Sequence, residues 1–92
     1  MSRRFAFIQA ADMADYSLMM ALDENATIAL VHELRDRLLE PIAERHEGEI
    51  LKRMGDGWII AYPSVTSSVL AALEIQNGLA EHPKTRLRMG IH

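Results

Sequence analysis

Asp12 and Asp56 are the residues best placed to do chemistry. Asp12 ends an apolar run, "FAFIQAAD". Asp56 sits between two glycines in "MGDGWIIAY", at the tip of a hairpin signal. Two carboxylates brought together repel and raise their shared pKa unless a cation lies between them. Magnesium takes hard oxygen ligands and commonly uses one or two carboxylates plus substrate phosphates. A paired-metal site about 3.5–4 Å across can stabilise both the attacking and the leaving oxygen in phosphoryl chemistry. A plainer reading stands beside this one. Asp-Gly is a common turn, and Asp12 could simply cap the next helix.

Other chemistry-bearing residues have blander readings. His32, His46, His82 and His92 show no ligand spacing to one another and read as surface histidines. Met13, Met19 and Met20 suit packing. Lys52 by itself is a strand lysine, Trp58 a core residue, and Arg35, Asp36, Arg37 and Glu40 a solvated helix face.

The elements that must position the aspartates follow from periodicity. Arg4 to Ala11 reads as a first, buried strand that stops at Asp12. "ADYSLMMALDE" reads as a short helix with Leu18, Met19 and Leu22 at helical spacing. Asp23 or Asn25 could cap a longer helix whose apolar stripe is Ile28, Val31, Leu34, Leu38 and Ile42. Pro41 should kink or interrupt it, and Gly48 should end it as a left-handed cap. Glu49–Met54 and Trp58–Tyr62 form a hairpin for which Asp-Gly suggests a type I′ turn. Ser64 caps a further helix with Val65, Val69, Ala72, Leu73, Gln76 and Leu79 on one stripe, ending at "EHPK". Leu87, Met89 and Ile91 alternate in a last strand. The order β-α-α-β-β-α-β is that of an α+β, ferredoxin-like, two-layer sandwich. In such a sheet the first strand can lie beside the hairpin, so the aspartates could meet. The last strand runs to His92 without a cap, which suggests a domain truncated after that strand.

Composition narrows the function classes. The 92 residues allow one small domain, with 49% hydrophobic and 25% charged residues. A net charge of −3 offers no basic field for nucleic acid. With no cysteine there is no disulfide, thiolate metal site or cysteine nucleophile, which suits a cytoplasmic setting. The N-terminal apolar run is too short for a signal peptide or membrane span, so no membrane contact is expected from this segment.

Taken together, "AADMADYS", "GEILKRMGDGWIIAYPS", "AALEIQNGL" and "RLRMGIH", in this order and spacing, resemble the N-terminal part of a class III adenylate/guanylate cyclase catalytic domain. The likeness covers essentially residues 1–92. It implies that Asp12 and Asp56 hold two magnesium ions, with manganese as an alternative, and that Met13 adds a backbone carbonyl. It implies that backbone N–H groups of Ala14, Asp15, Tyr16 and Ser17 cradle the triphosphate, a ready role for a helix start. Gly55 belongs to the substrate-binding hairpin, and Lys52, four residues before Asp56, reads the purine as in adenylate cyclases. The implied reaction converts ATP to 3′,5′-cyclic AMP and pyrophosphate, in a homodimer or higher homo-oligomer that shares its sites between protomers.

Two departures qualify the resemblance. The family usually has glycine where this chain has Asp15, whose charge would stand near a polyanion. The family's second purine contact and its asparagine–arginine pair lie beyond the stretch ending in "GIH". The alternative expectation is therefore a non-catalytic, cyclase-like dimerisation or regulatory module, or an unrelated ferredoxin-like domain with an innocent turn.

Overall fold

The computed structural model describes residues 7–81 and 86–91. Residues 4–6 of the expected first strand, the "EHPK" stop beyond Glu81, His82 and His92 lie outside the described residues. The strands are β1 (Phe7–Met13), β2 (Glu49–Arg53), β3 (Gly57–Tyr62) and β4 (Leu87–Ile91). The helices are α1 (Tyr16–Leu22), α2 (Glu24–Leu34), α3 (Glu40–Arg45) and α4 (Val65–Gly78). All strand pairs are antiparallel in the order β2-β3-β1-β4. Helices cover one face, so the expected ferredoxin-like two-layer architecture is the observed one.

Alternation assigns the sheet faces. Gln9, Ala11 and Met13 of β1 and Trp58, Ile60 and Tyr62 of β3 are buried against the helices. Their neighbours Ala10, Asp12, Ile59 and Ala61 point to the open face, where they are only half-buried. The first strand therefore does not stop at Asp12. A carboxylate ends a strand only when both faces are covered, and here one is open.

The long helix departs from expectation at Pro41. A π-helical turn, Arg35–Leu39, joins α2 to α3, and the backbone stays right-handed through Leu34, Leu39 and Glu40. Proline lacks an N–H to donate, and the wider turn places it at the start of α3, where none is needed. The extra residue rotates the buried stripe. Val31, Leu34 and Ile42 are buried as expected, but Leu39 joins them and Ile28 is exposed. Asp23 caps α2 by accepting from the Ala26 N–H at 3.0 Å.

At the end of α3 the left-handed residue is Glu47 (φ 63°), not Gly48. Gly48 donates to the Ala43 carbonyl at 2.7 Å and Glu47 to Glu44 at 3.1 Å, a Schellman closure. Gly48 is required for space instead: a Cβ there would meet Tyr62 Cε1 at 2.7 Å.

Ser64 caps α4 by accepting from the Ser67 N–H at 3.0 Å, as expected. Its buried face is only partly the expected one, since Leu79 at its end is buried as expected. Ser68, Ala71 and Ile75 face the sheet, while Val65, Val69 and Leu73 are exposed. Small Ser68 and Ala71 make the contact beside Ile75, and a Cβ on Gly78 would meet the tip of the Leu38 side chain.

A polar cluster lies inside this core. The Gln9 amide donates to the Ser68 carbonyl at 3.0 Å, and its oxygen accepts from the Tyr62 hydroxyl at 3.4 Å. Burial pushes the Tyr62 hydroxyl from its ordinary 10.0 up to about 12. The folded state thus keeps a proton that the unfolded chain loses first, and stability falls as pH rises from 10 toward 12. Alkaline denaturation followed by near-UV absorbance should show Tyr62→Phe resisting this loss. An identical alkaline profile in the variant would remove Tyr62 as its cause.

Candidate functional site

The two aspartates come to one end of the sheet. Asp12 lies opposite Gly57 on β3 and opposite Arg88 on β4. Asp56 immediately precedes Gly57, and its carbonyl accepts from the Met13 N–H at 2.8 Å. That bond fastens the hairpin tip to the last residue of β1.

The hairpin turn differs from expectation. Met54 and Gly57 exchange backbone bonds at 2.8 and 3.5 Å, so Gly55 and Asp56 are the central residues. Neither has positive φ, which excludes a type I′ turn. Gly57 serves close approach instead. A Cβ on it would stand 2.6 Å from the Ala11 carbonyl oxygen and 3.2 Å from Asp12 Cβ. Glycine at this position leaves the side of Asp12 that faces β3 without a cross-strand side chain. Gly55 has a looser setting, with the Tyr16 hydroxyl 3.3 Å from where its Cβ would be.

Arg88 is the site residue that sequence reasoning missed. Its Nε donates to Asp12 Oδ1 at 2.9 Å across the β1–β4 pair. Asp12, Arg88, Ala10, Ile59, Met54 and Gly90 rim or floor a shallow depression of about 380 Å³ on the open face. Ala10 and Gly90 are the small residues of its lining, beside the larger Ile59 and Met54. A larger hollow of about 490 Å³, lined by Asp36, Glu40, Pro41, Glu44 and Arg45, lies on the helices and holds none of the candidate residues.

Lys52 reaches the same face. It lies opposite Ile59, which lies opposite Ala10, so Lys52 is two strands from β1. Strand spacing puts that roughly 10 Å across the sheet. Lys52 follows a register shift in β2 and is exposed.

The turn after β1 is only partly as expected. Ala14 donates its N–H to the Arg86 carbonyl at 2.9 Å, so that donor is spent within the fold. Asp15 is left-handed, φ 62° and ψ 24°, and makes no side-chain cap bond to α1. Glycine takes this conformation without cost, whereas aspartate is strained by about 1 kcal/mol. Tyr16 and Ser17 open α1, which has only seven residues.

The donor chemistry fits a hard cation. Two carboxylates share one sheet end, and Asp12 already accepts a positively charged group there. Among the described residues no group of three or more histidine, aspartate and glutamate side chains is placed to hold a metal, so any ion would complete its shell from water or substrate oxygens. His46 is engaged elsewhere, its Nε2 lying 2.9 Å from Glu74 Oε1. No helix among the described residues is long and apolar enough to cross a membrane.

Comparison with known proteins is consistent with this geometry. No protein-family model matches the chain. A candidate adenylate cyclase of Rhizobium meliloti (strain 1021), numbered 3, is 35% identical over 97 residues, spanning 98% of this chain and 16% of that protein. A serine/threonine-protein kinase of Myxococcus xanthus, pkn2, is 32% identical over 63 residues, spanning 68% of this chain and 7% of that protein. The crystal structure of an adenylate/guanylate cyclase/hydrolase from Silicibacter pomeroyi superposes with a TM-score of 0.84 at 30% identity, over 98% of this chain and 56% of that one. The chain thus spans less than a fifth of the length of either curated relative and about half of the solved structure.

Proposed function

We infer that this chain, which its likenesses place with the adenylate/guanylate cyclase domains, is the metal- and purine-binding part of an adenylate cyclase catalytic domain. The reaction is conversion of ATP to 3′,5′-cyclic AMP. The ribose 3′-oxygen attacks the α-phosphorus, the 3′-hydroxyl proton is lost, and the bond to pyrophosphate breaks. One observation carries the reading: Asp12 and Asp56 meet at one end of the sheet, joined through the Met13–Asp56 backbone bond of 2.8 Å, with Asp12 on the open face. Asp12, Asp56 and the Met13 carbonyl would hold two magnesium ions, or manganese. When bound, these ions would lower the pKa of the 3′-hydroxyl and stabilise charge on the α-phosphate.

The chain's own residues supply orientation. Asp12 and Asp56 would hold the cations that bind the polyphosphate end. Lys52, across the sheet, donates to adenine N1. The depression beside Asp12, lined by Ala10, Ile59 and Gly90 on the same open face, receives part of the nucleotide. The remaining transition-state groups are not among residues 1–92, so in the whole protein they would come from outside this segment, on the partner protomer of a homodimer.

A non-catalytic module of the same fold is the second reading. The turn after β1 favours it, because the Ala14 N–H is spent on Arg86 and Asp15 puts a carboxylate where a polyanion would bind. Assay of the whole protein with ATP and GTP separates the two. Magnesium-dependent cyclic AMP formation supports the first; nucleotide binding without turnover supports the second.

The same assay tests Lys52. Guanine N1 is a donor where adenine N1 is an acceptor, so Lys52→Glu should change the ratio of cyclic AMP to cyclic GMP formed by about tenfold or more toward cyclic GMP. An unchanged ratio would take Lys52 out of the site.

A further inference from the structure

The Arg88–Asp12 contact has a consequence for how the cation binds, and it rests on the metal reading above. Arg88 lies directly opposite Asp12 in the β1–β4 register, and its neighbours Leu87 and Met89 pack toward the helices. Alternation therefore keeps Arg88 on the open face, beside the carboxylate. On its other side Asp12 faces Gly57, which has no side chain. Asp12 thus has two flanks: one held by a guanidinium, the other beside Gly57, the residue that follows Asp56.

We propose that Arg88 is the internal counter-cation of Asp12, so that divalent-cation binding is an exchange in which the metal displaces the guanidinium, and Arg88 sets the cation concentration at which the site fills. The strength of the pair suits exchange. Both side chains are largely exposed, Arg88 at 70% and Asp12 at 46%. Exposed ion pairs are weak and weaken further with salt. A buried pair would exclude the metal; this one yields to a doubly charged ion that also engages Asp56. Arg88 therefore raises the threshold for metal without closing the site.

The test is Mn²⁺ titration of the chelator-treated full chain, with free Mn²⁺ read by electron paramagnetic resonance and no nucleotide present. Arg88→Gln should bind Mn²⁺ about 2–5-fold more tightly than the unmodified protein at low ionic strength, with the gain shrinking as salt rises. Arg88→Lys keeps the charge and should stay close to the unmodified protein. Unchanged or weaker binding by Arg88→Gln would overturn the exchange. Asp12→Asn reports on the premise separately: it should weaken Mn²⁺ binding about tenfold or more in either background. If Asp12→Asn leaves binding intact, the metal reading of Asp12 fails, and the exchange with it. Circular dichroism of each variant confirms the fold, which an exposed arginine on an open face does not hold together.

Discussion

Asp12→Asn and Asp56→Asn should each reduce cyclic nucleotide formation by the whole protein by about 10³-fold or more, with thermal stability nearly unchanged. The first half of this expectation comes from charge. Asparagine keeps the shape of the carboxylate and one acceptor oxygen, but removes the negative charge that holds a divalent cation. One preorganised electrostatic group is commonly worth about 10²–10³ in rate, and losing a metal ligand removes both orientation and charge stabilisation. The second half comes from position. Asp12 is 46% exposed on the open face and its pair with Arg88 is a surface contact. Its loss should cost less than about 1 kcal/mol. Asp56 binds the fold through its backbone carbonyl, which the substitution leaves in place. Initial rates at saturating Mn²⁺, measured beside melting temperatures, make the comparison. Activity within tenfold of the unmodified protein in both variants would end the two-aspartate reading. A large drop in melting temperature would show that the aspartates are structural instead.

The sequence was legible wherever local chemistry decides the outcome. The caps at Asp23 and Ser64, the hairpin, the element order and the buried Trp58 all depend on neighbours close in the chain, and all appear in the structure. The misreadings share a different cause. Asp12 was read as the end of a strand because one open sheet face is invisible until the layers are assembled. The large aliphatics of α4 suggest one buried face, but Ser68, Ala71 and Ile75 are the residues turned to the sheet, which only the assembled layers reveal. Gly48 reads as a left-handed helix cap and Gly57 as a turn glycine, yet neither has positive φ, and both are required for space.

Arg88 shows the limit most directly within the site. Placing Leu87, Met89 and Ile91 on one face already put Arg88 on the other. That it should meet Asp12 depends on the register between β1 and β4, which pairs residues 76 apart in sequence. No local pattern contains that number. Asp12 and Asp56 are legible as candidates from a strand end and a hairpin tip, the resemblance gives them a shared role, and the register puts both residues at the same end of the sheet.

Gly57→Ala should be the most damaging small substitution in the chain, because it strikes fold and site together. Its backbone is not left-handed, so alanine meets no conformational penalty there. The penalty is steric. The new Cβ would lie 2.6 Å from the Ala11 carbonyl oxygen and 3.2 Å from Asp12 Cβ. A backbone carbonyl in a central strand cannot swing aside as a side-chain tip can, so β1 and β3 must separate locally. That separation falls at the row carrying Asp12, beside the Met13–Asp56 bond of 2.8 Å. Overpacking of this kind costs about 2–3 kcal/mol. In a domain of this size that lowers the melting temperature by about 10–20 °C. Gly55→Ala is the matched control in the same turn. Its Cβ would meet only the Tyr16 hydroxyl at 3.3 Å, a group that can shift, so the expected loss is below about 1 kcal/mol. Thermal unfolding by circular dichroism compares the two, and Mn²⁺ titration of each variant below its transition reports on the site. Gly57→Ala should bind Mn²⁺ more weakly even where it is folded, since its two aspartates are then held by displaced strands. Equal melting temperatures for the two variants would show that β1 and β3 have slack at this row, and that the glycine is there for another reason.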